Sequence, residues 1–167
     1  MSSFESTITI DASAEKIWPV LSDVSKWPQW LPTVSAVEPL GAPPLAIGAR
    51  YRIVQPKLRP AVWSVVELSP MLGHFSWESR SPGVRVLASH SLRSVSAGKT
   101  SVSLRIDFAG PMAWMAGLLA GRLTREYLER EAVALKRRVE TFPSAAGDRT
   151  IVQQRPNSDD DDSRGVR

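Results

Sequence analysis

Two histidines are the first side chains in this sequence that could do acid–base chemistry, and their surroundings differ. His90 alternates with Ala88 and Leu92, which places it on the apolar face of a predicted strand. His74 alternates with polar residues, so it is predicted to face water. A histidine among apolar side chains needs a hydrogen-bond partner, and it can act as an acid or a base near neutral pH. His90 is therefore either a structural histidine with its hydrogen bonds satisfied or a residue that contacts a ligand.

Three further polar side chains could reach the same interior. Glu67 shares a predicted strand face with Trp63, although it lies near the end of that strand. Arg122 and Glu126 are four residues apart on a predicted helix, where they could contact a ligand or only form a surface ion pair. His90 and Glu67 are thus the candidate catalytic residues, and Arg122 is a candidate ligand contact.

Other chemistries lack the residues that they need. The 167 residues include no cysteine, which excludes disulfides, thiolate metal sites and a cysteine nucleophile. Two histidines do not favour a histidine-rich metal site. The chain contains no Gly-x-Ser-x-Gly, no Gly-x-Gly-x-x-Gly and no phosphate loop. We therefore predict no metal, no cofactor and no hydrolytic triad.

The charge pattern bears on partners and localisation. The net charge is +4, but basic residues between 122 and 138 alternate with glutamates at 126, 129, 131 and 140. Mixed signs along a helix are typical of a solvated face, so nucleic-acid binding is not expected. The most apolar stretch, 112–121, has about half of the roughly 20 residues that span a bilayer. No secretory signal is visible, and a cytoplasmic protein without a transmembrane segment is expected. The oligomeric state stays open.

The elements that must position these residues follow from hydrophobic periodicity. Residues 4–10 alternate as a first strand, and two short helical segments follow, the second of them the proline-bounded turn 25–32 that holds Trp27 and Trp30. An amphipathic helix is predicted from about 112 to 141. Residues 144–167 lack periodicity and are predicted to be a disordered tail after one domain, 1–143. The remaining predicted strands are 33–38, 48–55, 60–68, 73–80, 83–95 and 99–109.

Short links between these strands favour an antiparallel sheet, and each of the later strands has one wet and one apolar face. The long helix is the only apolar surface large enough to cover that face. The residues at its buried helical spacing include Trp114, Leu118, Leu128 and Leu135. We predict an α+β fold in which about seven antiparallel strands form a curved sheet around this helix. A gap between sheet and helix could be packed core or a ligand cavity, and aromatic and methionine side chains at its edge favour a cavity.

The same order of elements resembles the START-like or SRPBCC superfamily with its helix-grip fold, and more narrowly the polyketide cyclase/dehydrase-type proteins of bacteria. The resemblance covers about residues 3–142 and implies a hydrophobic cavity for lipids, polyketides or other apolar molecules. The segments that carry it are IWPVLSDVSKWPQWLPTV (17–34), VWSVVELSPMLGHFSWES (62–79), ASHSLRSVSAGKTSVSLRIDFAGP (88–111) and YLEREAVALKRRVE (127–140).

Three functions are compatible with this sequence. The first is a binding or carrier protein for an apolar or amphipathic small molecule. The second is a cyclase or dehydratase that uses His90 or Glu67 as its acid–base group. The third is a protein-interaction module that uses an exposed sheet edge or apolar patch. The predicted ligand-binding residues are Trp63, Phe75, Trp77, His90, Leu104, Ile106, Met115, Leu119 and Arg122.

Overall fold

A computed structural model describes residues 2–41 and 44–141. The predicted tail, 144–167, and the predicted domain limit at residue 143 lie outside the described residues. The elements in chain order are β1 (Ser2–Ile10), α1 (Ala14–Ser22), a 3₁₀ helix (Val24–Gln29), β2 (Ala36–Pro39), β3 (Arg50–Val54), β4 (Ala61–Ser69), a 3₁₀ turn (Pro70–Leu72), β5 (His74–Ser81), β6 (Val84–Ser96), β7 (Lys99–Ala109) and α2 (Ala113–Thr141).

The seven strands form one antiparallel sheet in the order β1-β7-β6-β5-β4-β3-β2. The long hairpins of its centre turn at Gly83 and Gly98, whose φ angles of 76° and 72° are ones that glycine adopts without strain. Helix α2 packs on β1 and β7, on the same side as the buried core. The α+β, helix-grip arrangement predicted from the sequence is confirmed.

Two small residues set how α2 lies on the sheet. A Cβ atom on Gly121 would lie 2.9 Å from Phe4 Cζ, and one on Gly117 would collide with the side chain of Ser2. The helix therefore turns these glycines towards β1. Trp114 and Leu118 consequently point away from the sheet and are exposed, so the prediction that they lie on the buried face is wrong. Further along α2 the predicted face is buried, with Leu135 fully enclosed.

The 3₁₀ helix closes one side of the core. Trp27 is buried, and its Nε1–H donates to the backbone carbonyl of Leu21 at 3.0 Å. The ring of Trp30 contacts that of Trp27 edge-on, with centroids 6.1 Å apart, and stays half-buried. Leu31 follows as a fully buried side chain. The proline-bounded turn predicted from the sequence is therefore a packed wall of the core.

Candidate functional site

A buried histidine–carboxylate pair joins the sheet to α2. His90, on β6, places Nε2 3.0 Å from Oε1 of Glu131, on α2. The two side chains are only 4% and 14% exposed. His90 reaches the interior because it lies beside Phe75 on β5 and Leu104 on β7, two fully buried residues of the same sheet face. The prediction that His90 faces the interior is confirmed.

Aromatic rings hold the imidazole of His90 in place. The ring of Phe75 stacks on it with centroids 4.3 Å apart and planes 7° apart. The ring centroids of Trp27 and Trp77 lie 5.6 and 5.9 Å from the centroid of the His90 ring. The stacking fixes the plane of the ring and the bond to Glu131 fixes its rotation. The faces of such rings also attract a positive charge, so the same setting can accommodate an imidazolium.

The hydrogen bonds of His90 define what it can offer to a ligand. With Glu131 ionised, Nε2–H donates to the carboxylate, and in the neutral ring Nδ1 is then an acceptor. Nδ1 is buried and has no hydrogen-bond partner among residues 2–41 and 44–141. A buried polar atom without a partner costs free energy, which a hydrogen-bond donor on a bound molecule would recover. Protonation of the ring would make Nδ1 a donor instead.

A small cavity lies beside this pair, between the sheet and α2. Its volume is about 50 Å³. One water occupies roughly 30 Å³ of liquid, and pockets for organic ligands take roughly 300–1,000 Å³. The cavity in this conformation is therefore too small for an organic ligand. Its walls are Trp27, Val34, Ile53, Gln55, Trp63, Trp77, Ala88, His90, Leu104, Arg105, Ile106, Leu128 and Glu131.

A second space, an open groove of about 1020 Å³, lies between residues 28–35 and α2. Val34 lines both the groove and the cavity. Trp27 lines the cavity and Trp30 lines the groove, and their rings touch. The segment 27–34 is thus the partition between a small cavity beside His90 and a large open groove.

The predicted ligand contacts divide into two groups. Trp63, Trp77, His90, Leu104 and Ile106 all line the cavity, and Phe75 supports it by stacking on His90.

The other three, Met115, Leu119 and Arg122, do not line the cavity, and Leu119 and Arg122 are exposed. The close approach of Gly117 and Gly121 to β1 turns that part of α2 away from the cavity. The structure therefore gathers the predicted sheet residues at one place and separates the predicted helix residues from them.

Glu67 lies on the opposite face of the sheet. The pairing of β4 with β5 shifts between Val65 and Glu67, where a β-bulge adds one residue. One extra residue reverses the side to which the following side chains point. The prediction that Glu67 shares the face of Trp63 is therefore wrong. On the outer face, hydrogen bonds from Ser76 and from His74 hold the pKa of Glu67 below its ordinary value.

His74 belongs to the same outer network. Its Nδ1 lies 2.9 Å from Ser91 Oγ, and its Nε2 lies 3.1 Å from Ser76 Oγ. His74 is on the solvent side of the sheet, as predicted, but these contacts leave it only partly exposed. The network is separated from the cavity by the sheet itself.

Glu131 is the site residue that the sequence analysis missed, because it was counted with the charges of a solvated helix face. Its spacing held a signal, since it follows Leu128 by three residues and precedes Leu135 by four, and both are buried.

No group of metal-ligating side chains occurs among the described residues. Within that same part of the chain, no helix is long and apolar enough to cross a membrane.

The sequence matches the family of polyketide cyclase/dehydrase and lipid transport proteins over residues 1–140, and the chain belongs to this family. Solved structures with the same fold include START/SRPBCC-like proteins. A START superfamily protein from Mycobacterium smegmatis has a TM-score of 0.67 and 21% identity, over 84% of this chain and 98% of the other. A search of curated protein sequences finds no match.

Two of the similar structures carry the name of a reaction. The Zhui aromatase/cyclase from Streptomyces sp. R1128 has a TM-score of 0.64 and 25% identity, over 87% of this chain and 98% of that chain. The di-domain ARO/CYC BexL of the BE-7585A biosynthetic pathway has a TM-score of 0.65 and 22% identity over 85% of this chain. The present chain spans 47% of that di-domain protein, which is about half its length.

Proposed function

We propose that this protein binds an apolar or amphipathic small molecule, lipid-like or polyketide-like, beside His90 and between the sheet and α2. The single observation that carries the proposal is the buried Nδ1 of His90, a polar atom without a partner in an aromatic setting. A ligand that brings a hydroxyl group there gains a hydrogen bond and buries its rings against Trp63 and Trp77. The chain belongs to a family described as polyketide cyclase/dehydrase and lipid transport proteins, which supports the proposal that it binds such a molecule.

Binding requires the cavity to grow, since about 50 Å³ does not hold an organic molecule. The partition formed by residues 27–34 is the element that can yield, because the open groove on its other side offers space for displaced side chains. Outward movement of Val34 and of the Trp27–Trp30 pair would join the two spaces. The proposal therefore includes a closed, ligand-free form and an expanded, ligand-bound form.

Two matched probes test the hydrogen bond to His90. Naphthalene and 2-naphthol share one ring system, but only 2-naphthol carries a hydroxyl donor. His90→Leu should weaken binding of 2-naphthol about tenfold, the value of one hydrogen bond, and leave naphthalene unchanged. Equal effects on both probes, or no binding of either, would contradict the proposal. Native mass spectrometry of the purified protein, followed by solvent extraction, identifies the molecule that the cell supplies.

The second candidate is an enzyme of the cyclase or dehydratase type, and the Glu131–His90 bond favours it specifically. The carboxylate holds the imidazole in one orientation and one tautomer, in which Nδ1 is the nitrogen free to accept a proton. Nδ1 would take a proton from the carbon between two carbonyl groups of a folded chain. The resulting enolate carbon attacks a further carbonyl, and the imidazolium returns the proton to the new alkoxide, so atoms and charge balance.

Glu131→Gln separates the two candidates. The amide keeps a hydrogen-bond acceptor for Nε2 but removes the negative charge. A binding protein should keep its affinity for 2-naphthol in this variant. A cyclase should lose turnover of a linear poly-β-ketone thioester by a factor of roughly 10²–10⁴, the usual contribution of one acid–base group. Retained turnover in Glu131→Gln would remove the enzymatic role assigned to the pair.

A further inference from the structure

Four large apolar side chains are exposed around the start of α2, and together they are called the α2 apolar patch. Met112, Trp114, Leu118 and Leu119 have exposed fractions of 42%, 67%, 76% and 77%. Trp114 and Leu118 are four residues apart and are therefore neighbours on one face of the helix, and Leu119 lies beside that face. Contiguous exposed apolar side chains of this size mark interaction surfaces more often than isolated ones do.

A second element brings another exposed apolar residue to the same end of the sheet. Arg85 pairs with both Arg80 and Ala109, so the β5–β6 turn and the start of α2 lie together. The antiparallel pairing of β4 with β5 places the β3–β4 loop, residues 55–60, at that end as well. The hydroxyl of Tyr127 donates to the carbonyl of Pro56 and ties this loop to α2.

Within this loop Leu58 is exposed between two cations, Lys57 and Arg59. Neither cation forms an ion pair with a described residue, and the same holds for the exposed Arg122, one helical turn after Leu118.

Acidic residues are missing from the segments that carry these side chains. No Asp or Glu occurs between Glu38 and Glu67 or between Asp107 and Glu126. The nearest carboxylates on the neighbouring strands are already neutralised. Glu78 is bonded to Arg80 and Arg85, and Asp107 is bonded to Arg105. This end of the molecule thus combines exposed apolar side chains with unpaired positive charge.

We propose that this end of the molecule, formed by the α2 apolar patch, Leu58 and the cations Lys57, Arg59 and Arg122, docks on the surface of an anionic lipid bilayer. Tryptophan and leucine side chains enter the boundary between headgroups and acyl chains, and arginine and lysine contact the anionic headgroups. A second copy of this chain fits less well. In a twofold dimer the same surface of both copies would meet. The unpaired cations of one copy would then face those of the other, with no carboxylate between them to offset the repulsion.

The surface is distinct from the cavity beside His90, so this inference goes beyond the proposed ligand binding. Docking would bring a protein that carries apolar molecules to the bilayer, in which such molecules dissolve. His90→Leu leaves the patch intact and should leave bilayer binding unchanged. A failure of one proposal is therefore distinguishable from a failure of the other.

Vesicle sedimentation tests the proposal with two compositions, equimolar phosphatidylcholine and phosphatidylserine, and phosphatidylcholine alone. The full chain should sediment with the anionic vesicles and much less with the neutral ones, and added salt should weaken the binding. Leu118→Ser/Leu119→Ser should abolish sedimentation, and Arg122→Gln should weaken it about fivefold, the value of one cation near an anionic surface. All of these residues are exposed, so the variants should fold, which circular dichroism checks.

The matched control is Met71→Ser/Leu72→Ser, which removes two apolar side chains of comparable or greater exposure at the opposite end of the sheet. This control should sediment like the unaltered protein. Three results would overturn the proposal: no binding to anionic vesicles, equal loss in the control, or a dimer in solution that Leu118→Ser/Leu119→Ser dissociates. The last result would assign the patch to a second copy of the chain.

Discussion

Nε2 of His90 lies 3.0 Å from Oε1 of Glu131, although the two residues are 41 positions apart in the sequence. The pair connects the middle of the sheet to the middle of α2, beneath the aromatic side chains of the core. It therefore links the stability of the helix–sheet packing to the chemistry of the candidate site.

Removal of the carboxylate should destabilise the protein through the histidine left behind. Glu131→Leu leaves both ring nitrogens of His90 without a partner, which should cost about 1–3 kcal/mol in the free energy of unfolding. The double variant His90→Leu/Glu131→Leu should recover most of that loss, since it removes both polar groups. Urea unfolding of the two single variants and the double variant measures the coupling. Additive losses would show that the pair does not interact energetically.

The two tryptophans of the partition should differ in their contribution to stability. Trp27→Ala removes a buried ring and should cost about 3–5 kcal/mol in the free energy of unfolding. Trp30 is half-buried, so Trp30→Ala should cost clearly less. Its main effect should appear in the association and dissociation rates of 2-naphthol, measured by stopped-flow fluorescence. A large stability loss with unchanged rates in Trp30→Ala would make Trp30 a purely structural residue.

A smaller side chain at Val34 should ease entry into the cavity. Val34 lines both the cavity and the groove, and Val34→Ala removes two methyl groups from the partition. Association of 2-naphthol should become faster, at a cost of about 2 kcal/mol in the free energy of unfolding. Ala88→Gly serves as a control, because Ala88 lines the cavity but not the groove. Equal acceleration in both variants would argue against entry through the partition.

Glu78 should contribute stability that depends on pH. A hydrogen bond from Arg80, together with Arg85, holds the pKa of Glu78 below its ordinary value. A carboxyl with a depressed folded-state pKa stabilises the fold above its unfolded-state pKa, and this stability is lost as the pH falls through the folded-state pKa.

Glu78→Gln should therefore be less stable than the unaltered protein at neutral pH, by up to about 1 kcal/mol. The difference should close as the pH falls below the folded-state pKa. Thermal unfolding of both proteins across the acidic range measures it, and a difference that is independent of pH would contradict the assignment.

Much of the fold followed from periodicity, because strand and helix patterns are local properties of a chain. Alternation in 84–92 placed His90 on the interior face, and the cavity walls Leu104 and Ile106 were recognisable by the same reasoning. The helical spacing of Leu128 and Leu135 likewise predicted the buried face of the second half of α2.

What only the tertiary structure decided depends on contacts between distant residues. The bulge before Glu67 arises from the pairing of β4 with β5, and one added residue moved that carboxylate to the outer face. The approach of Gly121 to Phe4 set the rotation of α2, exposed Trp114 and turned Leu119 away from the cavity. The same rotation of α2 places the carboxylate of Glu131 within hydrogen-bond distance of the His90 ring. Alternation and spacing specify which side of an element is apolar, but its rotation and register depend on the surface against which it packs.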